Sequence, residues 1–126
     1  MVQSVREIVT CYFRLINEER FDELFRLFDP EVEFSAPFGF SVRGLEHVKP
    51  FYLRLPLEYP EHEDAPTEII CSGNKAAVFI EFVGRTRHGL PVAFKATDWF
   101  EIEKGKIKAL SIFFDSFSLA RLLRGG

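Results

Sequence analysis

Two cysteines, Cys11 and Cys71, are all that 126 residues contain, too few for a disulfide framework and without the spacing of a metal-ligand pattern. They fall in segments that read as helix and strand, and are expected to be reduced core thiols of a cytosolic protein. No apolar run approaches the roughly 18 residues that a membrane span requires. The start, Met1 to Arg6, lacks a basic region followed by an apolar stretch, so a soluble, unprocessed, cytoplasmic protein is expected. Positive charge is scarce too: 16 Lys and Arg against 19 Asp and Glu leave a net charge of -3, with no basic stripe to meet a phosphate backbone. Nucleic acid and membrane are therefore not expected as partners, and nothing in the composition implies a metal or an organic cofactor. Internal repeats and low-complexity tracts are absent.

Phenylalanine is abundant instead: fifteen, against one Trp and one Met, suggest an aromatic-lined interior with room for an apolar cavity. The length suits a single domain over residues 1–126. Val5, Ile8, Val9, Tyr12, Phe13, Leu15 and Ile16 recur at helical steps after Ser4, a candidate cap. Phe21 to Phe28 predicts a second, short helix ending before Pro30, and Val32, Phe34 and Ala36 alternate as a strand closed by Pro37 and Gly39. Val42 starts a possible small strand. Leu45, Val48, Phe51, Tyr52 and Leu55 form a third helical face, which Pro50 should kink or restart. The acidic, proline-containing stretch Leu57 to Pro66 reads as an exposed loop, with His62 solvated in it. Strands follow over Thr67–Ser72, Ala76–Arg85, Leu90–Glu103 and Lys106–Asp115, a meander closed by a helical tail from Ser116 to Leu123. Helices first and strands afterwards predict an α+β fold, a curved sheet wrapped around helices.

One residue violates the strand pattern. Asp98 shares the phase of Val92, Phe94, Ala96, Phe100 and Ile102, while Lys95, Thr97 and Glu101 occupy the other. Strand side chains alternate faces, so this register aims a carboxyl group at the buried side of the sheet, where an ionised oxygen without partners is costly.

Tyr12 in the first helix followed by Asn17, the run Val32 to Gly39, the Gly44 to Tyr52 helix and Asp98 before an aromatic and Phe100 give a chain that resembles the nuclear transport factor 2-like superfamily. Within it, the chain resembles the ketosteroid isomerase and SnoaL-like branch, from Val5 to Asp115. The resemblance implies a cone-shaped α+β barrel of the cystatin-like type. It also implies that Tyr12 and a protonated Asp98 donate hydrogen bonds to a developing oxyanion, with Tyr52 supporting Tyr12; in the isomerases the aspartic acid is kept neutral by apolar surroundings. By phase, Phe34, Ala36, Phe51, Phe82, Phe94, Phe100 and Phe113 are candidate lining residues.

The resemblance departs at Ala36, where the isomerases carry a carboxylate base. The SnoaL-type cyclases place an acid/base aspartate where Ile112 stands and a histidine where Asp98 stands, so that pattern is not matched either. Glu33 and Ser35 lie in the phase opposite to Ala36, Glu81 has no clear assignment, His47 and His88 read as surface residues, and Asp115 as a cap for the terminal helix. A small apolar carbonyl or phenolic ligand, with proton transfer of isomerase or lyase type, is one expectation. A non-catalytic binding or dimerising module, in which Tyr12 merely satisfies Asp98, is the other. Val83, Trp99, Leu110 and Phe114, of outward or ambiguous phase, suggest a face for a homodimer.

Overall fold

The computed structural model describes residues 3–124. In chain order the elements are α1 (Val5–Asn17), α2 (Phe21–Phe25), β1 (Phe28–Ala36), β2 (Phe40–Arg43), α3 (Leu45–Leu53), α4 (Leu55–Glu58), β3 (Glu61–Ser72), β4 (Lys75–Arg85), β5 (Pro91–Glu103), β6 (Lys106–Phe114) and α5 (Ser116–Leu123). The strands form one six-stranded sheet in the order β2-β1-β6-β5-β4-β3, curved and unclosed. All neighbours are antiparallel except β1 and β6, which run parallel.

α1 begins with a capping box: the Ser4 hydroxyl accepts from the Glu7 amide at 3.1 Å, and the Glu7 carboxylate accepts from the Ser4 amide at 2.8 Å. Its apolar stripe, including Ile8, Tyr12, Leu15 and Ile16, is buried against the concave side of the sheet. α3 lies across β1 and contributes Val48 and Tyr52 to the same core, and Pro50 sits within it without ending it. At the other end Leu119 of α5 packs on Phe82 and Val92, so the terminal helix covers a second, smaller cluster. Asp115 caps that helix, accepting from the Ser118 amide at 3.0 Å.

Several expectations are corrected by this architecture. Residues 57–66 are not a loop: Leu57 lies in α4, and from Glu61 the chain is already β3, paired residue by residue with β4. Glu61 and Glu63 point outward while His62 and Asp64 point inward, so a hydrophilic strand passes for a loop because both of its faces are polar. Its position at the sheet edge accommodates Pro66 beside a bulge. Phe28 does not end the second helix but starts β1, opposite Ile107. Cys71 is exposed and Cys11 half-buried, so neither is a sealed core thiol. On β6 the phase is the reverse of that expected: Leu110 faces Phe100 and is buried, Phe114 faces Ala96 and packs on Phe94, and Phe113, expected to line the interior, pairs with Thr97 on the outer face and is exposed.

Candidate functional site

Tyr12 projects from the middle of α1 into the cone and is 1% exposed. Its ring is packed edge-on by Phe13, Phe100, Tyr52 and Phe28 at centroid distances of 4.9, 5.1, 6.1 and 6.2 Å, so the Phe-rich interior is filled rather than hollow around it. The Tyr12 hydroxyl meets the Tyr52 hydroxyl at 2.6 Å, a buried bond between residues 40 positions apart. Burial, with the charges of Tyr52 and Asp98 nearby, raises the Tyr12 phenol well above its ordinary value, and burial does the same for Tyr52. Both hydroxyls therefore keep their protons and are available to donate.

Asp98 lies where its phase predicts. It faces Val78 and Ile112 across the two neighbouring strands and is 4% exposed. Burial holds its carboxyl far above the usual carboxylate range, and the charge on Asp64 pushes it further in the same direction. Burial thus favours the protonated form of Asp98, which can donate one hydrogen bond. The Tyr12 hydroxyl is bonded to Tyr52 and not to Asp98, which separates the arrangement from a simple satisfied tyrosine–aspartate pair.

The expected lining residues divide into groups. Phe34 and Phe51 pack on Tyr52 at 5.8 and 5.2 Å, and Phe100 packs on Tyr12. Phe82 and Phe94 stack on each other at 4.8 Å under α5, in the second cluster. Phe113 lies on the opposite face of the sheet. Ala36, Phe51, Ala96 and Ile112 face the concave side yet are only half-buried, marking the less sealed half of the cone beside Asp98.

Asp64 escaped the sequence reading. It faces Phe82 across β3 and β4, and its backbone is clamped by Asn17: the Asn17 side-chain amide donates to the Asp64 carbonyl and the Asp64 amide donates to Asn17 Oδ1, both at 2.8 Å. Burial pushes its carboxyl up to about 6, against a small opposing effect of His62. Two residues earlier on the same face, the His62 side chain is 1% exposed, not solvated; its Nε2 lies 2.8 Å from Glu19 Oε2, and its Nδ1 is buried with no partner. The imidazole lies opposite Gly84, where an added Cβ would approach the Glu61 carbonyl to 2.9 Å. All four residues from Glu61 to Asp64 are polar, so no alternation in the sequence sets the inward pair apart from the outward pair. Glu33, Glu81, His47 and His88 are exposed. Among the described residues no group of histidine, cysteine and acidic side chains is arranged to hold a metal ion, and no helix is long and apolar enough to cross a membrane.

Residues 9–110 match the family model described as the SnoaL-like domain. No curated protein matches the sequence. Similar solved structures include an NTF2-like protein of unknown function from Burkholderia pseudomallei, 20% identical with a TM-score of 0.87 over 95% of this chain and 98% of that one. TerC, co-crystallised with polyporic acid, is 18% identical with a TM-score of 0.85 over 95% and 98% of the two chains. A candidate SnoaL-like polyketide cyclase from a Jannaschia species is 16% identical, with a TM-score of 0.85 over 94% and 90%. At these identities the likeness is one of fold.

Proposed function

Since the chain belongs to the SnoaL-like domain family, we propose that it binds a small apolar carbonyl or phenolic molecule and catalyses proton transfer of isomerase or lyase type. The observation that carries this reading is the buried Tyr12–Tyr52 hydroxyl pair, 2.6 Å apart, in the same low-dielectric interior as Asp98, whose carboxyl burial raises well above its ordinary value. Donors fixed before the reaction stabilise negative charge on an oxygen without reorganising, and they are worth more where water is excluded. In this reading Tyr12 and Asp98 donate to the ligand oxygen while Tyr52 donates to Tyr12, each bond polarising the next. Phe34, Phe51 and Phe100 form the aromatic wall about the tyrosines, with the partly buried Ala36 and Ala96 packed against the same core.

The test is binding of para-nitrophenol, followed by its absorbance, and of polyporic acid, the molecule found with TerC. Removing a donor to a charged oxygen costs about 1.5–3 kcal/mol, so Tyr12→Phe and Asp98→Leu should each weaken phenolate binding at least about tenfold. Binding that survives both changes removes the oxygen site.

A second reading, a ligand-binding or dimerising module without turnover, draws on the outer face of the sheet. Ile70, Phe79, Val83, Trp99 and Phe113 are exposed there, around a depression of about 510 Å³ lined partly by Phe79, Lys95 and Phe113. Such an apolar patch suits a homodimer that pairs two sheets face to face, and either reading accommodates it. Trp99→Glu with Phe113→Glu should give a monomer by analytical ultracentrifugation.

A further inference from the structure

Proton transfer at carbon needs an acceptor, and the methyl group of Ala36 is none. Asp64 faces the concave side of the sheet from β3, and Asn17 ties its backbone at two points to the end of α1, the helix that carries Tyr12. Its carboxyl oxygens have no hydrogen-bond partner among the described residues, and the residue keeps part of its surface. The carboxylate thus sits on a backbone fixed at two points and is uncommitted. The titratable groups that face it come from several sides of the cone: Tyr12 from α1, Tyr52 from α3, Asp98 from β5 and, on its own strand, His62, whose Nε2 is met by Glu19 from the turn after α1.

We infer that Asp64 is the catalytic proton acceptor of this site, supplying from the edge strand the carboxylate that Ala36 lacks. The inference rests on the oxyanion reading given above and adds the base to it. In the step, a carboxylate oxygen of Asp64 takes the proton from a carbon alpha to the ligand's carbonyl. The C–H electron pair becomes the C=C bond of an enolate, and the carbonyl oxygen collects the negative charge facing Tyr12 and Asp98. Return of the proton to the gamma carbon restores the Asp64 carboxylate and yields the conjugated isomer, with no net gain or loss of electrons. The proposed division of labour follows the placement of the two acids: Asp98 is enclosed between β4 and β6, where burial favours its proton-bearing, donating form, whereas Asp64 stands on the edge strand with its carboxyl raised to about 6.

The experiment uses the full chain and two probes, para-nitrophenol for the oxygen site and a β,γ-unsaturated cyclohexenone for proton abstraction, the latter followed by NMR as deuterium uptake from deuterated water. Losing a general base costs about 10²- to 10⁴-fold, so Asp64→Asn should lower deuterium uptake by at least about a hundredfold while the Kd for para-nitrophenol changes by less than about threefold. In the unmodified protein, uptake should rise with pH through a midpoint near 6. Uptake within about threefold of the unmodified protein's in a folded Asp64→Asn variant overturns the assignment, on the same scale of base contributions. So does an unmodified protein that binds the phenol but shows no uptake above background, or one whose uptake has no midpoint between pH 5 and 7; this last measurement needs no variant to fold. Phenol binding that is absent, or indifferent to Tyr12→Phe, overturns instead the oxyanion reading beneath it.

Discussion

Asp98 stands on β5, with β4 and β6 on either side, whereas Asp64 stands on β3, which has a neighbour on one side only. Both face the concave side of the same sheet. Around Asp98 the neighbours are Val78, Ile112 and the ring-packed tyrosines, and desolvation raises the acid well above its ordinary value. Around Asp64 the sheet ends, its backbone is met by Asn17, and His62 offsets part of the burial, so the carboxyl ionises near pH 6. The contrast teaches that place in the sheet, rather than residue type, sets how each carboxyl is desolvated, and the proposed roles of donor for Asp98 and proton acceptor for Asp64 build on that difference.

The sealed centre should also respond to damage more severely than the edge. Phe100, 0% exposed and packed on Tyr12 and Phe13, should cost about 3–5 kcal/mol when cut to alanine, read as a shift in urea-denaturation midpoint. A loss below about 1 kcal/mol would mean that the centre is loosely packed and that its low polarity does not explain Asp98.

Next in size is the pH dependence of stability. Asp64 binds its proton more tightly folded than unfolded, so the folded state loses stability as pH rises from its ordinary value near 4 to about 6. A shift of this size corresponds to about 2–3 kcal/mol, and the difference in unfolding free energy between the unmodified protein and Asp64→Asn should change by that amount across the window. Asp98, whose folded carboxyl is raised well above its ordinary value by burial, contributes a slope of the same sign. A difference that is flat between pH 4 and 6 would dissolve the contrast between the two acids.

The smallest effect has the opposite sign. Replacing a buried polar group by an apolar one of similar volume is often stabilising, and Asp98→Leu should raise stability at pH 7 by about 1 kcal/mol while weakening phenolate binding. A protein destabilised by the change would show that Asp98 is held by partners that stabilise the fold.

The two acids were unequally legible for a physical reason. Asp98 interrupts an otherwise apolar phase, Val92 to Ile102, and a single polar residue on a buried phase is conspicuous. Asp64 has His62 before it in its own phase and Glu61 and Glu63 in the other, so no hydrophobic alternation announces a strand, and the prolines at 60 and 66 argue against one. The phase of β6 was similarly ambiguous, because Ile112, Phe113 and Phe114 are apolar on both faces; Phe113 found its outward place only through its pairing with Thr97.

Sequence alone determined the helices-then-strands arrangement, the capped first helix with Tyr12 on its buried stripe, and the inward register of Asp98, because these depend on periodicity and on groups a few residues apart. Only tertiary structure decided that Tyr52 would reach Tyr12, that Asn17 would fasten Asp64, and that Glu19 would meet His62. Those pairings join segments about 40 positions apart. They also determine which carboxyl is desolvated, a property of the enclosing atoms that no local pattern carries.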